Sequence, residues 1–339
     1  MSDMLRRKDE HLNVVLTQNV RTAGTTGFEA VQFEHVALPE MHLDDVDLSA
    51  AFLGRRMQAP LLISSMTGGP AKAAAINETL ARAAGQLGIA FAVGSQRVAI
   101  EDGGSFGFGR ELRGFVGEMP LLSNLGAAQL AQPGGAEMAR RVVEMIGADA
   151  LIIHLNPLQE AVQHGGDRDW SGLLGRIEAL VKTLPVPVIV KEVGSGISGP
   201  LAKRLWDAGV RIIDVAGAGG TSWAAVEAGR APNARLRAVA ETFRDWGIPT
   251  ARAVADVRAA CPDAVVIASG GIRSGLDAAK AIRLGADLVG QAAGVLSAAL
   301  QGVDAVTAHF EDRIAELRIA CFCTGSPTLN DLRQAPLIP

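Results

Sequence analysis

The chain contains no tyrosine, so no phenol is available as an acid, a base or a neighbour of a bound ring. Cysteine is scarce as well. Cys261, Cys321 and Cys323 form neither a disulfide framework nor a zinc spacing, and the C-x-C pair near the end reads as incidental packing rather than metal binding. No apolar run approaches the ~18 residues of a membrane span, and the charged N-terminus lacks signal-peptide character. These absences predict a soluble, cytosolic protein without a membrane partner. Positive charge is in slight deficit: 32 Lys+Arg against 36 Asp+Glu give a formal net charge of −4. General nucleic-acid binding needs a basic surface and is not expected. Any anionic ligand must be held by local cations rather than by the field of the whole protein.

What is present suits one large globular domain. The 339 residues are 48% hydrophobic and 20% charged, enough to bury an ample core, and α/β barrels commonly reach this length as one unit. Glycine is abundant at 39 residues, above the average of about 7%, and many glycines follow apolar runs. Those β-rich runs lie at 60–66, 88–94, 120–125, 150–155, 187–193, 210–215, 264–269 and 286–290. Helical patterns follow at about 70–87, 135–147, 172–184, 199–208, 249–260 and 275–284, with further segments near 234–246 and 303–319. Strand alternating with helix implies parallel strands and right-handed crossovers. Eight such units predict a closed (β/α)₈ TIM barrel spanning 1–339 as a single domain. Two segments stand outside the repeat. Residues 1–59 form an N-terminal extension, acidic around Asp44, Asp45 and Asp47, and residues 101–118 form a Gly-rich insertion after the second strand, either a lid or a surface loop.

In such a barrel the chemistry belongs at the C-terminal ends of the strands. The run Leu151–Glu160, LIIHLNPLQE, passes from a buried strand to His154, Asn156, Gln159 and Glu160 within a few positions. Side-chain alternation puts Ile152, His154 and Asn156 on one face. Pro157 cannot continue a central strand, which places Gln159 and Glu160 on a following loop. Alone this could be a satisfied polar strand end. The other strands also end in polar groups: Ser65, Met66 and Thr67; Ser95, Gln96 and Arg97; Asn124; Lys191 and Glu192; Thr221 and Ser222. Together they mark a ligand site. Lys191 follows PVIV and should point into the mouth, where it pairs either with a neighbouring carboxylate or with an anionic ligand. SGGIRSG at 269–275 and GQAAG at 290–294 combine small residues with helix starts, a setting for phosphate on backbone N–H groups. The string RRKDEHL at 6–12 is either a solvated tail or a source of charge folded over the mouth.

The ordered motifs resemble one family, the FMN-dependent, type 2 isopentenyl diphosphate isomerases. RKDEH at 7–11, SMTGG at 65–69, VGSQR at 93–97, SNLG at 123–126, HLNPLQE at 154–160, VKEVGSG at 190–196, DVAGAGGTSW at 214–223 and SGGIRSG at 269–275 all match its pattern. The resemblance implies FMN held by Ser65, Met66, Thr67, Ser95, Asn124, Lys191 and Thr221. The FMN phosphate would rest on Gly271, Ile272 and Arg273 with Ala292 and Ala293, where the family usually shows Ala-Gly. It further implies a substrate diphosphate gripped by Arg7, Lys8, His11 and Arg97, with help from His154, Asn156 and Gln159, and bridged to Mg²⁺ on Glu160. The implied reaction moves a double bond with no net redox change. No side chain is assigned as the catalytic acid or base: reduced FMN would serve at N5, with Gln159 orienting the substrate and NADPH or another donor reducing the flavin. Relatives form tetramers or octamers, so a homo-oligomer is implied. Two rivals remain. A 2-hydroxy acid oxidase or dehydrogenase would need a His base after strand six, where the chain reads AGAGGTSW. A non-catalytic flavin- or phosphate-binding barrel would have no use for the His154–Glu160 cluster.

Overall fold

Eight parallel strands close into a barrel: β1 Leu61–Ile63, β2 Ala90–Ala92, β3 Leu121–Gly126, β4 Ala150–Leu155, β5 Val188–Glu192, β6 Ile212–Asp214, β7 Val265–Ala268 and β8 Leu288–Gln291. β8 pairs with β1 to complete the ring. The computed structural model describes residues 3–65, 71–101, 103–104 and 106–338, without the side chains of 3–9 and 71–73. Every strand coincides with the run expected for it, β3 and β8 extending slightly beyond its end. The expected helices stand at Ala71–Leu87, Gly135–Ile146, Leu173–Thr183, Gly199–Asp207, Thr250–Ala260 and Gly275–Arg283, with Ala234–Thr242 and Val303–Cys323 as the further pair.

Alternation along the strands builds two cores. Outward residues such as Ile63, Leu151, Ile153, Val190 and Ile213 pack beneath the helices. Inward residues Leu62, Leu122, Ile152, Ile189, Ile212, Ile267 and Leu288 fill the barrel itself. Each buried side chain of this size contributes about 1.5–3 kcal/mol. The lower end of that inner core is closed by a hairpin in the N-terminal extension, Ala50–Phe52 paired with Arg55–Met57, whose Phe52 and Met57 join the inner cluster. Its two-residue turn has positive φ at Leu53 (49°) and Gly54 (75°), the twist that suits a tight hairpin.

Three features depart from expectation. Gln159 and Glu160 stand on a helix, Pro157–Val162, not on a loop; Pro157 sits at its first turn, where a missing N–H costs nothing. Asn156 leaves the strand face, because β4 ends at Leu155 and Asn156 turns to precede that helix. The 101–118 insertion is neither a lid nor a surface loop over its second half: Phe108, Leu112 and Val116 are fully buried in the main core. Helices Asp3–Thr17 and Trp223–Arg230 were not anticipated either. They pack together through Val14, Ala225 and Val226. Among the described residues no helix is long and apolar enough to cross a membrane.

Candidate active site

One step above the apolar filling of the barrel, the same inward alternation turns polar. The inward positions Ser64, Asn124, His154, Lys191, Asp214 and Ser269 form a ring at the C-terminal mouth. Strand register sets Lys191 between His154 on one side and Asp214 on the other. Asn124 Oδ1 lies 2.8 Å from His154 Nδ1, and Asn124 is itself held by Gln96, whose Oε1 accepts from the Asn124 N–H at 3.0 Å. Gln96 is thus a buried brace whose amide also donates to Val142 O. Lys191 Nζ donates to Glu192 O at 3.0 Å and Ser269 Oγ at 3.2 Å, and stands 3.3 Å from Asp214 Oδ2. Asp214 is wholly buried, and its Oδ1 accepts from Ser269 Oγ at 2.5 Å. Of the two fates open to Lys191, the neighbouring carboxylate is present. Of the ammonium's three N–H groups, two are hydrogen-bonded, to Glu192 O and Ser269 Oγ. Asp214 Oδ2 is buried with no hydrogen-bond partner among the described residues, so its attraction to Lys191 is one of charge.

Glu192 follows Lys191 but is turned to the loop that follows it, beside a small pocket that Gln159, Ser222 and Trp223 also line. Its Oε2 accepts from the N–H groups of Val193, Gly194 and Ser195. Burial pushes its carboxyl up to about 7, against the opposing pull of those N–H groups and Lys191.

A second cluster stands on the helix Pro157–Val162. Asn156 Nδ2 donates to Gln159 Oε1 and Glu160 Oε1, each at 3.0 Å. Glu160 Oε2 accepts from Gln163 Nε2 at 3.2 Å and from the Asp167 N–H at 2.8 Å. Asp167 also takes Arg97 Nη1 at 3.2 Å, while Arg97 Nε binds Glu101 at 2.7 Å. Gln159 Nε2 donates to Glu227 Oε1 at 2.9 Å. The N-terminal helix brings His11 to the same oxygen at 2.8 Å, edge-on to Trp223. Arg230 binds Glu227 Oε2 at 2.7 Å and Glu10 at 2.8 Å. Burial works to raise the Glu227 carboxyl, but the His11 and Gln159 bonds and the Arg230 charge outweigh it and hold it below its ordinary value. His11 therefore stands beside Gln159, the two sharing Glu227 Oε1. Met66 and Thr67, and the side chains of Arg7 and Lys8, lie outside the described residues.

The third cluster is the pair of loops after β7 and β8. The N–H groups of Gly271, Ile272, Ala292 and Ala293 donate to no acceptor among the described residues. Arg273 differs. Its N–H and that of Ser274 are taken by Asp277 Oδ2, at 2.9 and 3.1 Å, and its guanidinium donates to Gly219 O at 3.2 Å. Arg273 therefore offers no free backbone donor to a phosphate. The smallness of Gly271 has a second cause beyond ligand approach: a Cβ there would stand 2.4 Å from Thr26 Cγ2, because the N-terminal extension crosses this loop. The same segment pairs Arg21 with Thr221, and Ser95 lies half-buried just before the helix Arg97–Glu101. A cavity of about 660 Å³ lies under residues 19–29 and touches Gly271 and Arg273, but none of the mouth ring. It is not the centre of the chemistry.

These residues fit a flavin mononucleotide. Ser64 Oγ and Ser65 Oγ are buried without hydrogen-bond partners, the unpaired loop N–H groups suit a phosphate, and the mouth ring offers an ammonium. For a metal, no group of three or more His, Cys, Asp or Glu side chains is present among the described residues. Glu160 Oε1 accepts one bond only and keeps a lone pair, so a single-carboxylate Mg²⁺ site completed by substrate oxygens and water is sterically and chemically compatible. Sequence reasoning missed Asp214, Ser269, Glu227 and Arg230 as site residues. The first two lay inside quoted motifs. Glu227 and Arg230 carried no signal, since charges three apart on a helix read as a solvent face.

The family described as FMN-dependent dehydrogenase matches residues 121–338. Solved structures share the fold at low identity: a mandelate oxidase mutant with the monooxide FMN adduct has a TM-score of 0.65 at 19% identity, covering 97% of this chain and 92% of that one. A putative lactate oxidase of Pediococcus acidilactici has 0.66 at 18%, covering 97% and 86%. The barrel is thus that of the FMN-dependent enzymes. Closer relatives are the isopentenyl-diphosphate delta-isomerase of Stutzerimonas stutzeri, 63% identical over 99% of this chain and 97% of that protein, and that of Synechocystis sp., 52% identical over 99% and 97%. The chain belongs to the isopentenyl-diphosphate delta-isomerase family of the FMN-dependent, type 2 kind.

Proposed function

We infer that the protein interconverts isopentenyl diphosphate and dimethylallyl diphosphate, with FMN over the ring of strand-end side chains and the diphosphate beside the helix Pro157–Val162. The observation that carries this is the juxtaposition of two unlike clusters. Lys191 paired with Asp214, together with Asn124 and His154, forms a floor of buried polar and charged groups. Next to it Asn156, Gln159, Glu160 and His11 form a polar wall in which Asn156 joins Gln159 to Glu160 and Glu227 joins Gln159 to His11. The names of the relatives support the substrate pair.

An isolated alkene is a poor base, so protonating it needs a close, well-aligned acid and stabilisation of developing positive charge. When bound, reduced FMN would supply a proton donor at N5 and an electron-rich ring to stabilise the developing positive charge. The chain's own residues bind and orient. Lys191 would set its charge against the bound flavin ring. Ser65, Met66, Thr67, Ser95, Asn124 and Thr221 line the flavin site, and Gly271, Ile272, Ala292 and Ala293 hold its phosphate through N–H groups. Arg7, Lys8, His11 and Arg97 grip the diphosphate with His154, Asn156 and Gln159. Glu160 Oε1 would hold Mg²⁺. Each charge-assisted bond of this kind is worth about 1.5–3 kcal/mol. Glu227 fixes the direction of the Gln159 amide, so Gln159 meets the substrate in one orientation. Reduction of FMN by NADPH or another donor, and action in the cytosol as a homotetramer or homooctamer, belong to the same reading.

The test is direct. Anaerobic, pre-reduced protein with FMN and Mg²⁺ should interconvert the two C5 diphosphates. A colourless protein that takes up no FMN, turnover by the oxidised form alone, or consumption of a 2-hydroxy acid would contradict the reading. Glu160→Gln should shift the Mg²⁺ requirement upward; an unchanged metal response removes Glu160 from the metal site.

A further inference from the structure

The last long helix, Val303–Cys323, grips the phosphate loops from behind. His309, Arg313 and Glu316 stand four and three positions apart, on one helix face. Arg313 Nη1 donates to the carbonyl of Arg273 at 2.5 Å, and its Nη2 lies 3.0 Å from Glu316 Oε1. Glu316 Oε2 accepts from the Gly275 N–H at 2.5 Å. His309 Nε2 meets Gln291 Oε1 at 2.7 Å, and Gln291 Nε2 donates to the Ile272 carbonyl at 3.4 Å. Burial, aided by the charge of Arg313, holds His309 below its ordinary value, so at neutral pH it meets Gln291 as an uncharged ring. The helix approaches this closely because position 275 is glycine: a Cβ there would lie 2.2 Å from the Arg313 carbonyl oxygen.

The consequence is an orientation of the main chain. The carbonyl of Arg273 is taken by Arg313 and that of Ile272 by Gln291, which His309 holds, and the N–H groups of residues 273 to 275 are taken by Asp277 and Glu316. Within 271–275, the N–H groups of Gly271 and Ile272 alone are left for a ligand among the described residues. Gln291, the last residue of β8, immediately precedes Ala292 and Ala293. One helix face therefore ties both loops into a common arrangement while standing behind them.

We propose that His309, Arg313 and Glu316 are positioning residues for a phosphate monoester at the Gly271–Ile272 loop, and that they set the preference of this protein for FMN over riboflavin. The proposal rests on the FMN reading above and deepens it. Titration of apo-protein with each flavin, followed by flavin fluorescence, reads it. Arg313→Met should weaken FMN binding on the order of tenfold, the worth of one charge-assisted hydrogen bond, and leave riboflavin binding unchanged. Arg313→Lys should restore part of the loss. Glu316→Gln keeps the side-chain shape, should move the FMN-to-riboflavin ratio the same way by less, and decides the matter if the Met variant does not fold. Equal losses for the two flavins, or an unchanged ratio, would overturn the proposal. A wild-type protein that binds both flavins equally fails differently: it removes the FMN reading and this proposal with it.

Discussion

The floor and the wall of the candidate site are built on different principles. The floor comes from strand ends of the barrel, and its central charges, Lys191 and Asp214, are register neighbours and nearly inaccessible. The wall is assembled from segments far apart in sequence: His11 reaches Glu227 across 216 positions, and the Arg230–Glu10 contact is open to solvent on the Glu10 side. Buried charges in a barrel mouth hold one another by desolvation and geometry. Charges at a helix–helix junction hold one another only while the helices stay docked. The floor should resist perturbation until a partner is removed and then fail abruptly, whereas the wall should yield gradually and show its loss in substrate binding.

Lys191→Met is the sharpest way to break this contrast. It leaves Asp214 buried without a cation, which costs about 3–5 kcal/mol. Denaturant unfolding of the apo-protein should show that loss, whereas His11→Ala should cost less, because the buried Glu227 keeps Gln159 and Arg230 as partners. Equal costs for the two variants would abolish the distinction between floor and wall.

Glu192 sharpens the contrast from the floor's own strand, since it neighbours Lys191 yet is held by the N–H groups of its own loop. Its carboxyl is raised from an ordinary 4.5 to about 7, chiefly by burial. A carboxyl raised on folding adds stability that is full below its unfolded value and lost as pH rises through about 7. Wild type should therefore lose up to about 3 kcal/mol relative to Glu192→Gln between pH 4.5 and pH 8. Parallel stability–pH curves for the two proteins would show that Glu192 titrates normally.

Periodicity made the floor legible and left the wall obscure. All eight strands could be read because buried parallel strands are short apolar runs punctuated by turns, and the inward step of two from Ile189 leads straight to Lys191. Asp214 follows from the same step after Ile212, yet Lys191 drew attention first because a lysine after PVIV is the more visible anomaly. Pro157 was misleading: it does end the strand, but it also opens the helix that carries Gln159 and Glu160. Glu227 could not be found by pattern at all. Its partners His11 and Gln159 come from two other helices: the packing of Val14 against Val226 brings in His11, and the helix Pro157–Val162 packs separately against Trp223–Arg230 to bring in Gln159. The hairpin at 50–57 escaped for a similar reason, since three-residue strands give alternation too little length to register.

The smallest effect probes the wall directly. Glu227→Gln keeps the volume and an acceptor for His11 and Gln159 but removes the negative charge that binds Arg230. We expect a folded protein that still takes up FMN, with KM for the diphosphate raised on the order of tenfold through loosened Gln159 and His11, and kcat changed less than KM. Glu227 is held below its ordinary value, so its contribution to stability is present above the unfolded carboxyl pKa and lost as pH falls through the folded one. The stability gap between wild type and variant should accordingly close in acid and stay open at neutral pH. A fall in kcat at unchanged KM would mean that Glu227 does more than hold the wall in place, and a loss of FMN binding would mean that floor and wall are not separable.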